Sequence, residues 1–330
     1  MSQSTLNVTL IFTVYGSFHP VNYLFVTLIF LLYLLSIFSN ISLMLIIYVE
    51  SSLHKPMYIF LFNLAINGLI GSSAVWPKIM ENLLSDTQES SYEGCLIQVF
   101  VVTVYGGTAY TILTVMAYDR YLSICKPLQY HSIMTSTKVK QLLAVVYIFP
   151  IASISGQVSL TSKLPLCRYN IQRLFCDNLS IVNLSCVKSN LNNVYGLCMF
   201  ALIAVFPFVI VVLSYVKILL VSLKTSKEAQ KKALSTCTPH LITFINFSLA
   251  SLFSVIYNRV HLHLPAGVNI FFSLHYILIP PLLHPIVYGI KTQEIRKCLT
   301  KILRKNMIFA GSFGFLHLNP VSPLTTYNMY

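Results

Sequence analysis

Charged residues are scarce in this chain of 330 residues: Asp, Glu, Lys and Arg together make up only 9%, whereas 56% of the residues are hydrophobic. A soluble domain has about 25% charged residues. No soluble fold could bury so large an apolar fraction. The composition therefore excludes a soluble domain and indicates a protein whose solvent is the lipid bilayer.

A cleaved signal peptide is also missing from the sequence. The first residues, 1–8, are polar and contain no basic residue ahead of an apolar stretch. A secretory signal needs a positively charged start followed by an apolar core. The first membrane-spanning segment is therefore predicted to serve as the insertion signal.

Ionisable residues are nearly absent from the middle of the apolar segments, and no internal repeat is visible. A transporter or channel would need such charges along its path, so this class is disfavoured. His240, His275 and His284 lack metal-ligand spacing and are interpreted as hydrogen-bonding residues in helix packing. Because the sequence contains no set of residues spaced for catalysis or metal binding, it predicts neither an enzyme nor a cofactor.

Seven segments are long and apolar enough to span a bilayer, which takes about 20 residues. The sequence therefore predicts an all-α membrane protein, a seven-transmembrane helix bundle. Residues 1–22 are expected to form an N-terminal tail, and residues 291–330 a short basic amphipathic helix and a tail. The predicted spans are 23–49, 57–83, 96–121, 140–160, 195–223, 236–258 and 267–290.

The basic residues set the predicted orientation. With the N-terminus outside, most of the 22 Lys and Arg residues lie on the inner side, as the positive-inside rule requires. The excess of basic residues therefore indicates the orientation of the chain in the membrane and suits contact with anionic lipid. It predicts no nucleic-acid partner. Asn7-Val8-Thr9 is then an extracellular acceptor for glycosylation at Asn7.

Four motifs occur in a fixed order. Residues 116–130 read Met-Ala-Tyr-Asp-Arg-Tyr-Leu-Ser-Ile-Cys-Lys-Pro-Leu-Gln-Tyr and begin in the last turns of the third span, and residues 55–65 open the second. Residues 231–240 begin the sixth span and residues 280–289 end the seventh. Together they resemble the odorant (olfactory) receptor family of rhodopsin-like G-protein-coupled receptors. Gly68 and the sixth-span motif resemble fish members more than mammalian ones.

The resemblance implies a plasma-membrane receptor that binds a small-molecule odorant from outside and activates a stimulatory, olfactory-type heterotrimeric G protein. It implies a two-state bundle in which Arg120 pairs with Asp119 at rest and turns to the G protein when active. The switch residues it implies are Asp119, Arg120, Tyr121, Tyr215, Lys231, Lys232, Pro285 and Tyr288. A rhodopsin-like receptor for a peptide, amine or lipid is the alternative; an amine receptor would need an acid where Val101, Val102, Thr103 and Val104 stand.

Four cysteines lie on the predicted outer side: Cys95, Cys167, Cys176 and Cys186. From the sequence alone they could pair in three ways. The family resemblance implies the pairs Cys95–Cys176 and Cys167–Cys186. Cys125, Cys198, Cys237 and Cys298 are expected to stay reduced, with palmitoylation of Cys298 as an open possibility.

The chain departs from the wider family at its sodium-binding position. Rhodopsin-like receptors commonly carry an aspartate five residues after the position of Asn63, where this chain has Gly68. The asparagine of their seventh-span motif is replaced by His284. Asn40 and Asn67 are expected to lie near each other there, without an intact sodium site.

The ligand pocket is predicted between the outer halves of the third, fifth, sixth and seventh spans. Gly106 and Gly107 are expected to make room for the ligand. Arg259 permits two interpretations: a guanidinium that binds a carboxylate ligand, or one that reaches the lipid headgroups. The predicted wall comprises Thr103, Gly106, Gly107, Met199, Ile203, Ser251, Val255, Arg259, Leu274 and Ile277.

Overall fold

The computed structural model describes residues 8–16, 18–260 and 266–301, without the side chains of residues 255–260 and 266–273. Within these residues, five helical segments are long and apolar enough to cross a membrane. They are Val21–Val49, Pro56–Leu84, Tyr92–Cys125, Ser136–Ser162 and Asn190–Ser222. The sixth and seventh helices of the bundle are Lys227–Val260 and Ala266–Lys291, and residues 293–301 are helical again.

The second span is two helices, Pro56–Ser73 and Trp76–Leu84, rather than the one continuous helix that its apolar length predicts. Pro77 lies just after the break. A proline has no N–H to donate to the carbonyl one turn earlier, and its ring collides with that carbonyl. The first helix therefore ends before the proline, and a new one begins with Pro77 in its first turn.

A second proline changes the fifth span. The α-helix Asn190–Phe200 passes into a π-helical turn at Ala201–Val205 and continues as the α-helix Phe206–Ser222. Pro207 follows the wide turn directly. The π turn gives room for the ring and lets the span remain continuous across the bilayer.

The third helix, Tyr92–Cys125, forms the centre of the bundle and contacts the second, fourth, fifth and sixth spans. The Ser91 side chain caps its N-terminus by accepting a hydrogen bond from the Gly94 N–H at 3.1 Å. Tyr105, Ile112 and Met116 are almost fully buried. By contrast, the first span exposes most of its large apolar side chains, as a lipid-facing helix does.

The N-terminal segment forms a β-strand where the sequence predicts only a tail. Strand β1, Thr9–Phe12, pairs antiparallel with β2, Glu89–Ser91, and parallel with β3, Asn170–Ile171. Leu10 and Phe12 are buried, whereas Thr9 and Ile11 are exposed. The small sheet thereby joins the N-terminal segment to the first and second outer loops.

Short helices occupy the remaining loops. They are the 3-10 turns Ser51–Leu53 and Pro127–Gln129, and the α-helices Tyr130–Ile133 and Asn178–Asn183. The sixth helix begins at Lys227, nine residues before its predicted span. A hydropathy count finds only the part of a helix that lies in lipid, and the charged first turns of this helix continue beyond it.

Candidate functional site

A cavity of about 770 Å³ opens between the outer halves of the third, fourth, fifth, sixth and seventh helices and the long outer loop. This volume lies within the usual range for small-molecule sites. Its inner part is lined mostly by apolar and aromatic side chains, and its outer part by polar loop residues. The inner lining includes Val102, Gly106, Gly107, Tyr110, Ile154, Met199, Phe200, Ile203, Ala204 and Tyr276.

The floor of the cavity is a hydrogen-bonded aromatic cluster. The hydroxyl oxygens of Tyr110 and Ser251 lie 2.5 Å apart and join the third helix to the sixth. The Tyr110 ring packs edge-on against Phe247, with 4.9 Å between the ring centroids. Phe247 also contacts Tyr105 and Tyr276. Three helices are thus packed together directly beneath the cavity.

The two predicted glycines, Gly106 and Gly107, lie at the cavity, but neighbouring side chains use much of the room that they leave. A Cβ atom on Gly106 would overlap the Tyr276 hydroxyl oxygen. A Cβ on Gly107 would lie 3.2 Å from both Ile203 Cγ2 and Pro150 Cβ. The glycines therefore serve mainly to let the fourth, fifth and seventh helices approach the third.

The structure brings together part of the predicted wall. Besides the glycines, Thr103, Met199, Ile203 and Ser251 line the cavity. Leu274 and Ile277 instead pack against the cluster that contains Trp76 of the second span. The side chains of Val255 and Arg259 lie outside the described residues.

The reason for the difference on the seventh helix is its rotation. Tyr276, between the two predicted positions, is the residue that faces the cavity. Tyr110 was also missed, although a signal for it exists in the sequence. It follows Gly106 by four residues and Gly107 by three, so it lies on the same face of the third helix.

Within the described part of the chain, the charged side chains that line the cavity belong to its outer, loop part. They are Arg168, Arg173, Asp177 and Lys188. Asp177 accepts a hydrogen bond from the Ser180 N–H at 2.8 Å and so caps the helix Asn178–Asn183, and its other oxygen lies 3.9 Å from Arg173 Nε. The cavity is therefore polar at its mouth and apolar towards its floor.

Two disulfides hold this loop over the cavity, and they join the pairs that the family resemblance implies. Cys95 of the third helix is bonded to Cys176, and Cys167 to Cys186. Gln98 supports the first bridge: its Oε1 accepts from the Cys176 N–H and its Nε2 donates to the Ala74 carbonyl, both at 2.8 Å. The other four cysteines are free thiols.

At the inner end of the third helix, Asp119 is almost fully buried and has two partners. Its Oδ1 accepts a hydrogen bond from the Tyr130 hydroxyl at 2.7 Å, and its Oδ2 lies 3.4 Å from an Arg120 guanidinium nitrogen. Burial and the neighbouring carboxylate raise the pKa of Tyr130, so its hydroxyl remains a donor. Arg120 keeps one buried nitrogen, Nε, without a hydrogen-bond partner.

His240 connects three helices at the level of Leu113, six residues before Asp119 on the third helix. One ring nitrogen bonds the Tyr215 hydroxyl of the fifth helix at 2.7 Å, and the other donates to the Leu113 carbonyl of the third at 2.8 Å. Tyr288 of the seventh helix is buried nearby, and its hydroxyl has no partner. Of the remaining predicted switch residues, Pro285 is buried, Tyr121 is half-buried, and Lys231 and Lys232 are exposed at the inner end of the sixth helix.

The sodium-binding position is filled by a neutral, closely packed contact. The Asn40 side chain donates to the Pro281 carbonyl at 2.8 Å, and Asn67 donates to the Tyr105 carbonyl at 2.9 Å. A Cβ on Gly68 would lie 3.3 Å from Pro281 Cβ. The chain has no carboxylate near these residues, since the two acids within the predicted spans, Glu81 and Asp119, lie at the span ends. The residues present do not fit a bound sodium ion.

The helix after the seventh span is fixed to the first inner loop. Glu294 accepts a hydrogen bond from the Tyr58 hydroxyl at 2.5 Å and lies 3.3 Å from Lys55 Nζ. Burial alone would raise the pKa of Glu294, but the Tyr58 hydroxyl and the Lys55 cation lower it below its usual value. Cys298 is buried, and its sulfur lies 3.9 Å from the Ser52 hydroxyl oxygen.

Comparison with known proteins agrees with this architecture. The family model described as olfactory receptor matches residues 29–306. Olfactory receptor 52K1 of Homo sapiens is 33% identical over 285 residues, which cover 83% of this chain and 88% of the relative. Olfactory receptor 52D1 of Homo sapiens is 36% identical over 82% of this chain and 86% of the relative. Olfactory receptor 5G29 of Mus musculus is 32% identical over 87% of this chain and 91% of the relative. The resemblance to fish members stays a prediction.

These matches span most of the chain and include the helices that form the cavity and the inner charge pair. They confirm the predicted family and, with it, a seven-transmembrane fold in the plasma membrane and a receptor in place of an enzyme. The chain belongs to the olfactory receptor family of G-protein-coupled receptors.

Proposed function

We propose that this receptor binds a small, largely apolar odorant in the outer cavity and activates a stimulatory, olfactory-type G protein at its inner face. One observation carries the proposal: a single face of the sixth helix runs from the cavity floor to the inner centre. Ser251, Phe247, Phe244 and His240 are spaced three or four residues apart on that face, and all are buried. A ligand that shifts Ser251 therefore acts on the helix that bonds Tyr215.

The interactions at the inner end suit a resting receptor. Arg120 contacts Asp119, while Tyr215 bonds His240 and the Tyr288 hydroxyl has no partner. Neither tyrosine is bonded to Arg120 in this arrangement. An outward movement of the inner half of the sixth helix would separate His240 from Tyr215, and both tyrosines could then bond Arg120. A ligand that binds better to the outward arrangement shifts the population towards it and opens the cleft for the G protein.

The inner surface suits a lipid and protein partner. Lys231 and Lys232 flank the proposed cleft, and the helix at residues 293–301 buries Ile295 while exposing Lys297 and Lys301. Such a segment lies along an anionic leaflet.

Residues 1–22 are proposed as the extracellular N-terminal region, glycosylated at Asn7, residues 23–290 as the membrane domain, and residues 291–330 as cytoplasmic. Val255 and Arg259 are proposed to complete the cavity wall.

The experiment combines an odorant screen for cyclic AMP with the substitution Arg120→Ala. We expect the variant to reach the cell surface and to lose nearly all of the ligand-stimulated cyclic AMP. The exposed outer-side cation Lys163 provides the control, since Lys163→Ala should respond as the wild type does. A surface-expressed Arg120→Ala receptor with a normal response would remove Arg120 from the coupling mechanism.

A further inference from the structure

We propose that the floor of the cavity is a recognition subsite for a neutral hydroxyl group, so that small alcohols with an apolar body are ligands of this receptor. The inference rests on the ligand-binding half of the proposed function. It starts from three hydroxyl side chains that line the cavity, each on a different helix: Tyr110 on the third, Ser251 on the sixth and Tyr276 on the seventh.

The hydrogen bonds at the floor assign the protons. Ser251 donates to the Phe247 carbonyl of its own helix at 2.7 Å, so its proton is engaged there. In the 2.5 Å contact, Tyr110 must then be the donor and the Ser251 oxygen the acceptor. The Tyr110 oxygen therefore retains lone pairs but has no proton to offer a ligand.

Tyr276 supplies the complementary group. Its hydroxyl points to the side of the third helix that Gly106 leaves open, and it makes no hydrogen bond to any described residue. An unsatisfied hydroxyl next to an apolar cavity is costly, and a ligand oxygen would satisfy it. The floor thus offers one donor, from Tyr276, and one acceptor, on Tyr110. An alcohol group donates and accepts at once, whereas an ether or a carbonyl only accepts.

The surroundings favour a neutral group at this depth. Among the described residues, the charged side chains that line the cavity all belong to the outer loop, and the floor hydroxyls bring no counter-ion for a buried charge. Above the hydroxyls, Ile154, Met199, Phe200 and Ile203 form an apolar wall. The geometry therefore favours a ligand with its hydroxyl group at the floor and its hydrocarbon body against this wall.

The test measures binding directly, with the full-length receptor purified in detergent micelles. The probes are n-hexanol and n-octanol, their methyl ethers, and the carboxylic acids of the same chain length, each titrated by thermal stabilisation. The variants are Tyr276→Phe, which removes the donor, and Tyr110→Phe, which removes the acceptor. Tyr195→Phe is the matched control, because the Tyr195 hydroxyl does not line the cavity and is engaged with the Ser153 carbonyl at 2.8 Å.

We expect the alcohols to bind more tightly than the ethers and the acids. Tyr276→Phe should weaken alcohol binding by about threefold to tenfold, the range for one neutral hydrogen bond, and ether binding by a similar factor, because both ligand oxygens accept from Tyr276. Tyr110→Phe should weaken alcohol binding by the same factor and leave ether binding unchanged, because an ether has no proton to donate to Tyr110. Tyr195→Phe should bind as the wild type does. The proposal is overturned if no alcohol binds, if the acids bind more tightly, or if neither Tyr276→Phe nor Tyr110→Phe weakens alcohol binding more than Tyr195→Phe does.

Failure of this subsite and failure of the coupling proposal give different results. Alcohol binding that depends on Tyr276 but raises no cyclic AMP in cells would support the subsite and refute the stimulatory G protein. A cyclic AMP response to other odorants, with no alcohol binding, would support coupling and refute the subsite.

Discussion

Single side chains at the centre of this receptor do two tasks, because the helices are packed too closely for separate residues to do each. Tyr276 lines the ligand cavity and also fills the space beside Gly106. His240 packs against Phe244 and also bonds the third and fifth helices. Substitutions at such positions therefore change stability and signalling together, and only paired substitutions separate the two effects.

Gly106 and Tyr276 offer such a pair. In a helix, Gly→Ala alone stabilises by roughly 0.5–1 kcal/mol. Gly106→Ala should nevertheless lower the free energy of unfolding by about 1–3 kcal/mol, because its Cβ overlaps the Tyr276 hydroxyl oxygen. Thermal unfolding in detergent measures the change, and Gly289→Ala, which meets no atom within 4 Å, is the control.

The second substitution in that pair tests the cause. Tyr276→Phe removes the colliding oxygen, and the next ring atom, Cζ, lies at a tolerable 3.5 Å from the added Cβ. Adding Tyr276→Phe to Gly106→Ala should therefore recover most of the lost stability. Strictly additive effects of the two substitutions would show that the hydroxyl is not the obstacle.

The outer strands show how a short element can control a long loop. Strand β1 joins β2 and β3 through backbone hydrogen bonds, such as that from the Ile11 N–H to the Tyr169 carbonyl at 2.8 Å. A strand of four residues has little stability of its own. It is held instead by Leu10 and Phe12, which pack beside the disulfide-bonded Cys95 and Cys176.

Phe12→Ala should accordingly release the strand. Truncating a buried phenylalanine costs about 3–5 kcal/mol in a well-packed core, and less where the site can relax. We expect faster amide hydrogen exchange at Thr13 and Tyr92, whose N–H groups donate to the Ile171 and Val8 carbonyls, while the transmembrane helices keep their protection. Ile11, on the exposed face of the same strand, provides the control Ile11→Ala. Equal exchange in the two variants would mean that side-chain burial does not hold the sheet.

Elements of this chain differ in how far the sequence predicts them. The spans follow from apolar length alone, because lipid forces every backbone group into a helix. The break before Trp76 and the π turn before Phe206 cannot be predicted in this way, because a spanning helix can accommodate a proline by a break, a kink or a wider turn. The face that Tyr276 presents depends on helix rotation, which neighbouring helices set. Strand β1 was missed because its partners lie far away in the chain.

Across the whole molecule, charge is arranged by depth. Acids and bases occur at both membrane faces, and the two acids within the predicted spans, Glu81 and Asp119, lie at the outer and the inner end of their spans. The sodium-binding position is neutral, and the cavity floor carries only hydroxyl groups. The proposed function therefore implies ligand recognition through shape and neutral hydrogen bonds near the membrane centre, with the proposed charged switch at the other end of the third helix.

The orientation of the whole chain is the last prediction, and it follows from the same charge arrangement. With the N-terminus outside, the basic-rich sixth-helix start and the helix at residues 293–301 lie inside, as the positive-inside rule requires. An N-terminal epitope tag should therefore bind antibody on intact cells, and a C-terminal tag only after permeabilisation. A glycosidase should increase the electrophoretic mobility of the wild type and of Val8→Ala, which keeps the acceptor triplet, but not that of Asn7→Gln or Thr9→Ala, which lose it. A C-terminal tag that binds antibody on intact cells would reverse the assignment and place the outer cavity on the wrong side for an odorant.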